Sequence, residues 1–306
     1  ANFLSHYAHG TAEDLLGITL LATTAPVVVA PAMHTEMWEH PATADNIAAL
    51  AGRGVNIIGP DSGPLTGSDS GPGRMSEPED IVEYALSVVG PRPLSGQRVL
   101  ISAGGTREPI DPVRFIGNRS TGAMGVALAE VAVALGADVT FVHGSLEVGL
   151  PRGVECVSAP TAAAMHDEMV SRFPQSTIAI MAAAVADWSV SPAETKLSKA
   201  EAAEWPEMTP TPDIAAELGA IKTADQTLVV FAAETTADDE ELLTRARAKR
   251  DGKSADVVVA NRVGEQVGFG QTDTAVWIVQ RSGAPVLSTG SKLTVAGHLF
   301  DVLLSP

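Results

Sequence analysis

The sequence predicts an α/β protein with doubly wound units, in which mostly parallel strands alternate with helices, and three observations predict it. Short apolar runs recur: "RVLIS" at 98–102, "ADVTFVHG" at 137–144, "TIAIMAAAVADW" at 177–188, "TLVVFAAET" at 227–235 and "DVVVANRV" at 256–263. Such near-continuous runs are expected of parallel strands buried on both faces. Helical spacing separates them, as in "VALAEVAVALG" at 126–136. Specific polar residues follow the runs, at the carboxyl ends where open parallel sheets bind ligands.

In chain order, residues 11–24 carry an amphipathic helix pattern, "APVVVAPAM" a strand, "TADNIAALAGRG" a helix ending in Gly, and "VNIIGP" a second strand. Residues 59–74 are rich in Gly and Pro and read as a loop. "SEPEDIVEYALSVVG" then opens with a cap and an acidic first turn, the arrangement a helix dipole favours. "GPRPLSGQ" at 90–97 is the linker. After the five strands, "TAVWIVQRSGAPVLS" alternates and turns at Ser282-Gly283, which suits an edge hairpin, and "SKLTVAGHLFDVLL" closes as a helix. Residues 98–306 therefore read as one complete doubly wound, Rossmann-like domain with an edge hairpin. Residues 1–89 read as the C-terminal part of another, truncated at its N-terminus, because the chain starts without Met and runs at once into a helical pattern.

Composition narrows the function classes. The 306 residues include 20 Lys+Arg against 37 Asp+Glu, a formal charge of −17, which disfavours nucleic acid or an anionic membrane surface as partner. No apolar run reaches the roughly 20 residues that span a bilayer, and no signal peptide is visible, so a soluble cytoplasmic protein is expected. The single Cys156 excludes an intrachain disulfide framework and reads as a small packed residue after a strand.

The residues after each strand carry the chemistry. "GGTREPIDPVRFIGNRSTGAMG" at 104–125 reads as a Gly-rich turn between strand and helix, where backbone N–H groups and a helix N-terminus meet an anion. It lacks G-x-x-x-x-G-K-[ST], so a P-loop kinase is disfavoured. Arg114 and Arg119 offer forked hydrogen bonds to an acidic substrate, with surface salt bridges as the competing reading. Asp187 follows the third run, Phe231 and Glu234 the fourth, and Asn261 the fifth. Lys196 and Lys199 sit on a Pro-bounded segment suited to closing over a ligand, while Lys249 and Lys253 share a helical face if that helix persists. Cations aimed at one cleft suit a polyphosphate; a solvated helix face is the alternative.

Five motifs in order, "TREPIDPVRFIGNRSTG", "AAAVADW", "TPDIAAEL", "VFAAET" and "KSADVVVAN", resemble the phosphopantothenate–cysteine ligase domain of the bifunctional coenzyme A biosynthesis enzymes over essentially all of 98–306. "APAMHTEMW" and "LTGSDSGPGRM" resemble the end of the fused flavin-dependent phosphopantothenoylcysteine decarboxylase. The resemblance implies that CTP converts the carboxylate of 4′-phosphopantothenate into an acyl-cytidylate, which the cysteine amine then attacks. It assigns catalysis to Lys196, which stabilises charge as the intermediate forms, and to Asn118, which handles that intermediate. Nucleotide-binding positions fall on Met181, Ala182, Ala183 and Asp187, on Pro212, Asp213, Ile214 and Ala215, and on Phe231, Lys196, Lys249 and Lys253. Mg²⁺ completes the neutralisation of the triphosphate, with its protein ligands unassigned. Arg114, Asn118 and, in the decarboxylase part, His34 are the substrate contacts. Homo-oligomers through ligase-domain dimers are implied.

There are departures from the family pattern. Ala123, Thr211, Val230 and Ser198 stand where Lys, Asn, Gly and a basic residue are frequent. In the decarboxylase part, which uses FMN as its electron sink, His34 replaces a substrate-binding Asn and Gly67 a reducing-step Cys. Ser68 or Asp69 is then the substitute proton donor. His6 and His9 lie in the wrong context for the catalytic His, so residues 1–89 alone are expected neither to complete an FMN site nor to decarboxylate. Two rival functions are a noncatalytic flavin-binding or assembly module and an NAD(P)-dependent oxidoreductase. The second requires an acidic ribose ligand after the second strand, where "VTFVHGS" has none.

Overall fold

Strand and helix boundaries follow local chemistry closely in the computed structural model, which describes residues 1–66, 69–90, 92–198, 206–236, 238–263 and 273–305. The chain divides into two compact units, Ala1–Pro91 and Arg92–Pro306. No described helix is long and apolar enough to cross a membrane.

In the first unit, α1 (Asn2–His9) and α2 (Leu15–Ala22) precede β1 (Val28–Val29), α3 (Thr35–Trp38), α4 (Pro41–Gly52) and β2 (Asn56–Ile57). A hairpin of β3 (Asp61–Pro64) and β4 (Ser70–Arg74) and then α5 (Pro78–Val89) complete it. β1 and β2 pair in parallel, and Leu4, Ala8 and Leu50 form the buried core. Two expectations change here. The helix expected over 11–24 begins only at Leu15, because the Asp14 side chain caps it through Gly17 N at 2.7 Å, and its LLGITLLA sequence is apolar all round rather than amphipathic. The Gly/Pro loop over 59–74 contains the β3–β4 pair.

The second unit holds β5 (Arg98–Ala103), β6 (Arg107–Pro109), β7 (Phe115–Gly117), α6 (Ala123–Ala134), β8 (Asp138–His143), β9 (Glu155–Ser158) and α7 (Ala162–Arg172). It continues with β10 (Ile178–Met181), β11 (Trp188–Val190), β12 (Met208–Pro210), α8 (Ile214–Ile221), β13 (Thr227–Glu234) and α9 (Asp239–Gly252). β14 (Val257–Arg262), β15 (Asp273–Gln280), β16 (Val286–Ser291) and α10 (Lys292–Leu304) end it. The eight-stranded sheet runs β16-β15-β14-β13-β10-β5-β8-β9, antiparallel at β15 and β16 and parallel elsewhere. Counted from β5, this is the 3-2-1-4-5-6 doubly wound order with an antiparallel edge, and the order reverses between β5 and β10.

Alternation along each strand divides the core. Val99, Ile101, Val257 and Val259 pack with the α6 and α10 side chains on one face. Leu100, Val258 and Ala260 pack with those of α7, α8 and α9 on the other. The Gly-rich stretch at 104–125 proves more ordered than a turn: it folds back as the β6–β7 hairpin before entering α6, with the Arg107 guanidinium 4.7 Å over the Phe115 ring. Cys156 lies within edge strand β9 and is exposed, not packed, since an edge strand has no neighbour to cover it.

Candidate active site

The carboxyl ends of β10, β13 and β14 open onto a cleft of about 810 Å³, beside the point where the strand order reverses. One wall is the segment from Asn118 into the first turn of α6. That helix can lie directly on β5 because Gly125 has no Cβ; one would sit 2.3 Å from the Ala103 Cβ. Gly122, at φ 76°, is the N-cap, and a side chain there would strike Leu146. The N-terminal turn of α6 thus reaches the cleft with its N–H groups and positive dipole end, a favourable setting for an anion.

The opposite wall is Met181–Asp187, where β10 stops and its chain becomes a loop. Side chains fix this loop, Ser102 and Thr106 accepting from Ala183 N and Ala186 N. Asn118 Nδ2 donates to Val185 O at 2.9 Å, and Thr211 Oγ1 donates to Ala186 O at 2.6 Å. Phe231, within β13, is half-buried against the core and also lines the cleft. Asn261 lines it from β14.

The charged groups are paired across elements. Asp213 caps α8 by accepting from Ala216 N at 3.0 Å, and the Lys253 ammonium also bonds its carboxylate. Burial pushes the Asp213 carboxyl up, but Lys253, the Ala216 N–H and the Lys249 charge together outweigh it, and the group titrates below the usual carboxylate range. Lys249 Nζ lies 3.1 Å from Glu234 Oε1. Helix α9 ends at Gly252 with Lys253 as its C-cap, whose N–H still bonds Lys249 O at 3.0 Å, and both lysines line the cleft. The Lys253 backbone is held as well: its carbonyl packs so closely on α8 that a Cβ at Gly219 would lie 1.8 Å from it. Helix α8 therefore grips Lys253 at both its ammonium and its carbonyl. Both lysines are thus held at the cleft by carboxylate partners.

The cleft gathers Asn118, Met181, Ala182, Ala183, Asp187, Pro212, Asp213, Ile214, Ala215, Phe231, Lys249 and Lys253. Lys196 and Arg114 do not line it; Arg114 is turned to Asp111 and Leu197. His34 belongs to the first unit, where its Nδ1 is 3.9 Å from Asp69 Oδ2. Gly67, Ser68 and Lys199 lie outside the described residues. The cleft adds Ser120 and Thr121, which lie within a family-like motif but carry no assigned role, Val263 and Lys292, which no motif points to, and Arg119, which basicity singles out. Lys292 opens α10 after the edge hairpin, too far along the chain for spacing to reveal it. At the end of β8, His143 stacks on Phe141 and its Nδ1 meets Gly144 O at 2.9 Å, and no carboxylate occupies that strand end.

A doubly wound sheet whose switch-point cleft carries paired lysines, an aromatic ring and two helix N-termini defines an α/β protein that handles phosphorylated ligands. Residues 94–305 match the DNA/pantothenate metabolism flavoprotein C-terminal domain, and residues 1–90 match the flavoprotein family. The chain belongs to the DNA/pantothenate metabolism flavoprotein family. It is 41% identical over 322 residues to the coenzyme A biosynthesis bifunctional protein CoaBC of Mycobacterium tuberculosis (strain ATCC 25618 / H37Rv), covering 100% of this chain and 76% of that protein. The CoaBC protein of Bacillus subtilis (strain 168) is 42% identical over 313 residues, covering 99% of this chain and 74% of the relative. Among solved structures, the C-terminal domain of a CoaBC protein aligns with TM-score 0.59 and 33% identity, over 70% of this chain and 96% of that domain.

Proposed function

We propose that this chain is a CTP-dependent phosphopantothenate–cysteine ligase fused to part of a flavin-dependent phosphopantothenoylcysteine decarboxylase. Residues 98–306 form the ligase domain, 90–97 the linker and 1–89 part of the decarboxylase domain, a second Rossmann-like unit. One observation carries the ligase reading: Asn118, Asp187, Phe231, Lys249 and Lys253, from four separate stretches of chain, line one cleft.

A carboxylate is a poor acyl donor because its oxygen is a poor leaving group. A carboxylate oxygen of 4′-phosphopantothenate attacks the α-phosphorus of CTP, the bond to the β-phosphate oxygen breaks, and pyrophosphate leaves. The cysteine amine then attacks the acyl carbon, its proton is lost, and the C–O bond to CMP breaks as the amide forms. Lys249, Lys253 and the N-terminus of α6 suit the triphosphate; Phe231 suits the base, and Asp187 the ribose or a metal. Asn118 gives one amide N–H to Val185 O and keeps its second N–H for the intermediate. Among the described residues no three His, Cys, Asp or Glu side chains cluster to hold a metal alone. That fits Mg²⁺, which typically binds through one or two carboxylates plus substrate phosphates, and Asp187 and Asp213 are the carboxylates in reach.

In the first unit the Thr35 hydroxyl is buried without a hydrogen-bond partner among the described residues, next to exposed His34. Such an orphaned group fits a polar edge of FMN or its substrate. When bound, FMN supplies an electron sink; His34 and Thr35 would orient the substrate and exclude water there. Exposed Phe115 and Trp188, 51% and 50% accessible on the β6–β7 hairpin and the antiparallel β11–β12 pair, favour a second copy of this chain as partner, which sedimentation would register as a dimer. The ligase reading is tested by pyrophosphate release: it requires CTP and phosphopantothenate together, and amide formation further requires cysteine. Release without phosphopantothenate would contradict it.

A further inference from the structure

Residues 193–197 run beside the turn joining β6 to β7 and are tied to it on both sides of Lys196. Ala193 N donates to Ile110 O at 2.9 Å. Beyond Lys196, the Leu197 peptide is held twice: its N–H donates to Asp111 Oδ2 at 3.2 Å, and its carbonyl accepts from Arg114 Nη2 at 2.8 Å. Two side chains thereby do for Leu197 what a neighbouring strand would do.

The anchor itself is rigid. The Asp111 side chain has no solvent exposure. Its Oδ1 accepts from Val113 N and Arg114 N, both at 2.8 Å, and its Oδ2 accepts from Arg114 Nε at 2.8 Å and from Arg114 Nη2. The Arg114 guanidinium, followed by the backbone N–H donors, holds this carboxyl well below the usual carboxylate range despite its burial, so it stays ionised across the physiological range. With the Nε/Nη2 edge of Arg114 committed to Asp111 and Leu197, that fork cannot also grip a phosphate.

We propose that Asp111 and Arg114 position Lys196 for nucleotide activation by clamping the Leu197 peptide, and that Arg114 is a positioning residue rather than a substrate contact. This rests on the proposed function and on Lys196 acting in its first half-reaction, the role that the family resemblance implies. A displacement of about 1 Å at a reacting group costs about a hundredfold in rate, so a clamp one peptide away has leverage.

The test uses the full chain with Asp111→Asn and Arg114→Lys, each checked by thermal unfolding; the arginine variant serves if the buried asparagine prevents folding. Three readouts are taken: tryptic cleavage of the Lys196–Leu197 bond under native conditions, single-turnover pyrophosphate release with CTP and phosphopantothenate, and the steady-state kcat and KM for phosphopantothenate. The clamp predicts cleavage at least about tenfold faster and release about a hundredfold slower, with KM for phosphopantothenate within about twofold of the parent. Unchanged cleavage overturns it, as does a raised KM with normal kcat, which would restore Arg114 as a substrate contact. Faster cleavage with normal kcat also overturns it and places the failure in the role of Lys196, which Lys196→Ala reports independently.

Discussion

The two units of the chain bury apolar surface very differently. Residues 92–306 sandwich an eight-stranded sheet between two extensive cores, whereas residues 1–91 bury Leu4, Ala8 and Leu50 around a parallel pair two residues long. In the first unit Leu15, Leu16, Ile18 and Leu21 of α2 are all exposed. Isolated two-stranded pairings are marginal in water, while a multi-layer sheet fixes the ends of its strands. The consequence is chemical: the second unit can hold seven separate stretches around one cleft, and the first presents His34 ahead of a four-residue helix.

Four substitutions or conditions break or sharpen that contrast. Lys196→Ala should lower pyrophosphate release by about 10²–10³-fold, the usual cost of losing one charge-stabilising group, and leave the unfolding profile of both units unchanged. Leu50→Ala does the converse: removal of a buried leucine costs about 2–5 kcal/mol, so calorimetry should show an earlier transition for the first unit while the ligase rate persists. A parallel loss of ligase activity would erase the distinction between the units.

Within the second unit, Gly219→Ala forces Lys253 away from α8, at an overpacking cost of about 1–3 kcal/mol. Steady-state kinetics should show a raised KM for CTP with kcat nearly constant; an unchanged KM would free Lys253 from the nucleotide. The smallest effect is a titration. His166 Nε2 lies 2.8 Å from Glu217 Oε2, joining α7 to α8, and hydrogen bonds to Asp167 and then Glu217 raise its pKa. A raised folded value means stabilisation present in full below about pH 6.5 and lost as pH rises through that folded value. Part-exposed pairs contribute about 0.2–1 kcal/mol, so melting curves of the parent should lose that much more than those of His166→Gln between about pH 6 and pH 8.5.

The contrast also governs what was legible. The central strands could be read because Val, Ile and Leu fill both faces of runs such as "DVVVA". Hairpins β3–β4 and β6–β7 could not, since "SGPGR" and "REP" carry the Gly and Pro that ordinarily mark turns, and their pairing depends on tertiary context. Ala182, Ala183 and Asp187 could be singled out as cleft residues because they follow a parallel strand at the sheet's carboxyl edge, whereas basicity left Lys249 and Lys253 open to a solvated helix face, and residues 212–215 are reached only through the family resemblance. Lys292 was not legible, as nothing local distinguishes it from a first-turn helix lysine. Arg114 illustrates a different limit. Its basicity suggested a substrate, but its three-residue offset from Asp111 makes the carboxylate its nearest partner, and the second contact comes from Leu197, 83 residues away.

The account depends most directly on the acyl-cytidylate. Mixed with CTP and 4′-phosphopantothenate without cysteine, quenched and analysed by mass spectrometry, the protein should yield 4′-phosphopantothenoyl-CMP in proportion to active sites, and added cysteine should consume it. Amide synthesis at the parental rate with no such species, or with nucleoside diphosphate and phosphate as products, would contradict the account.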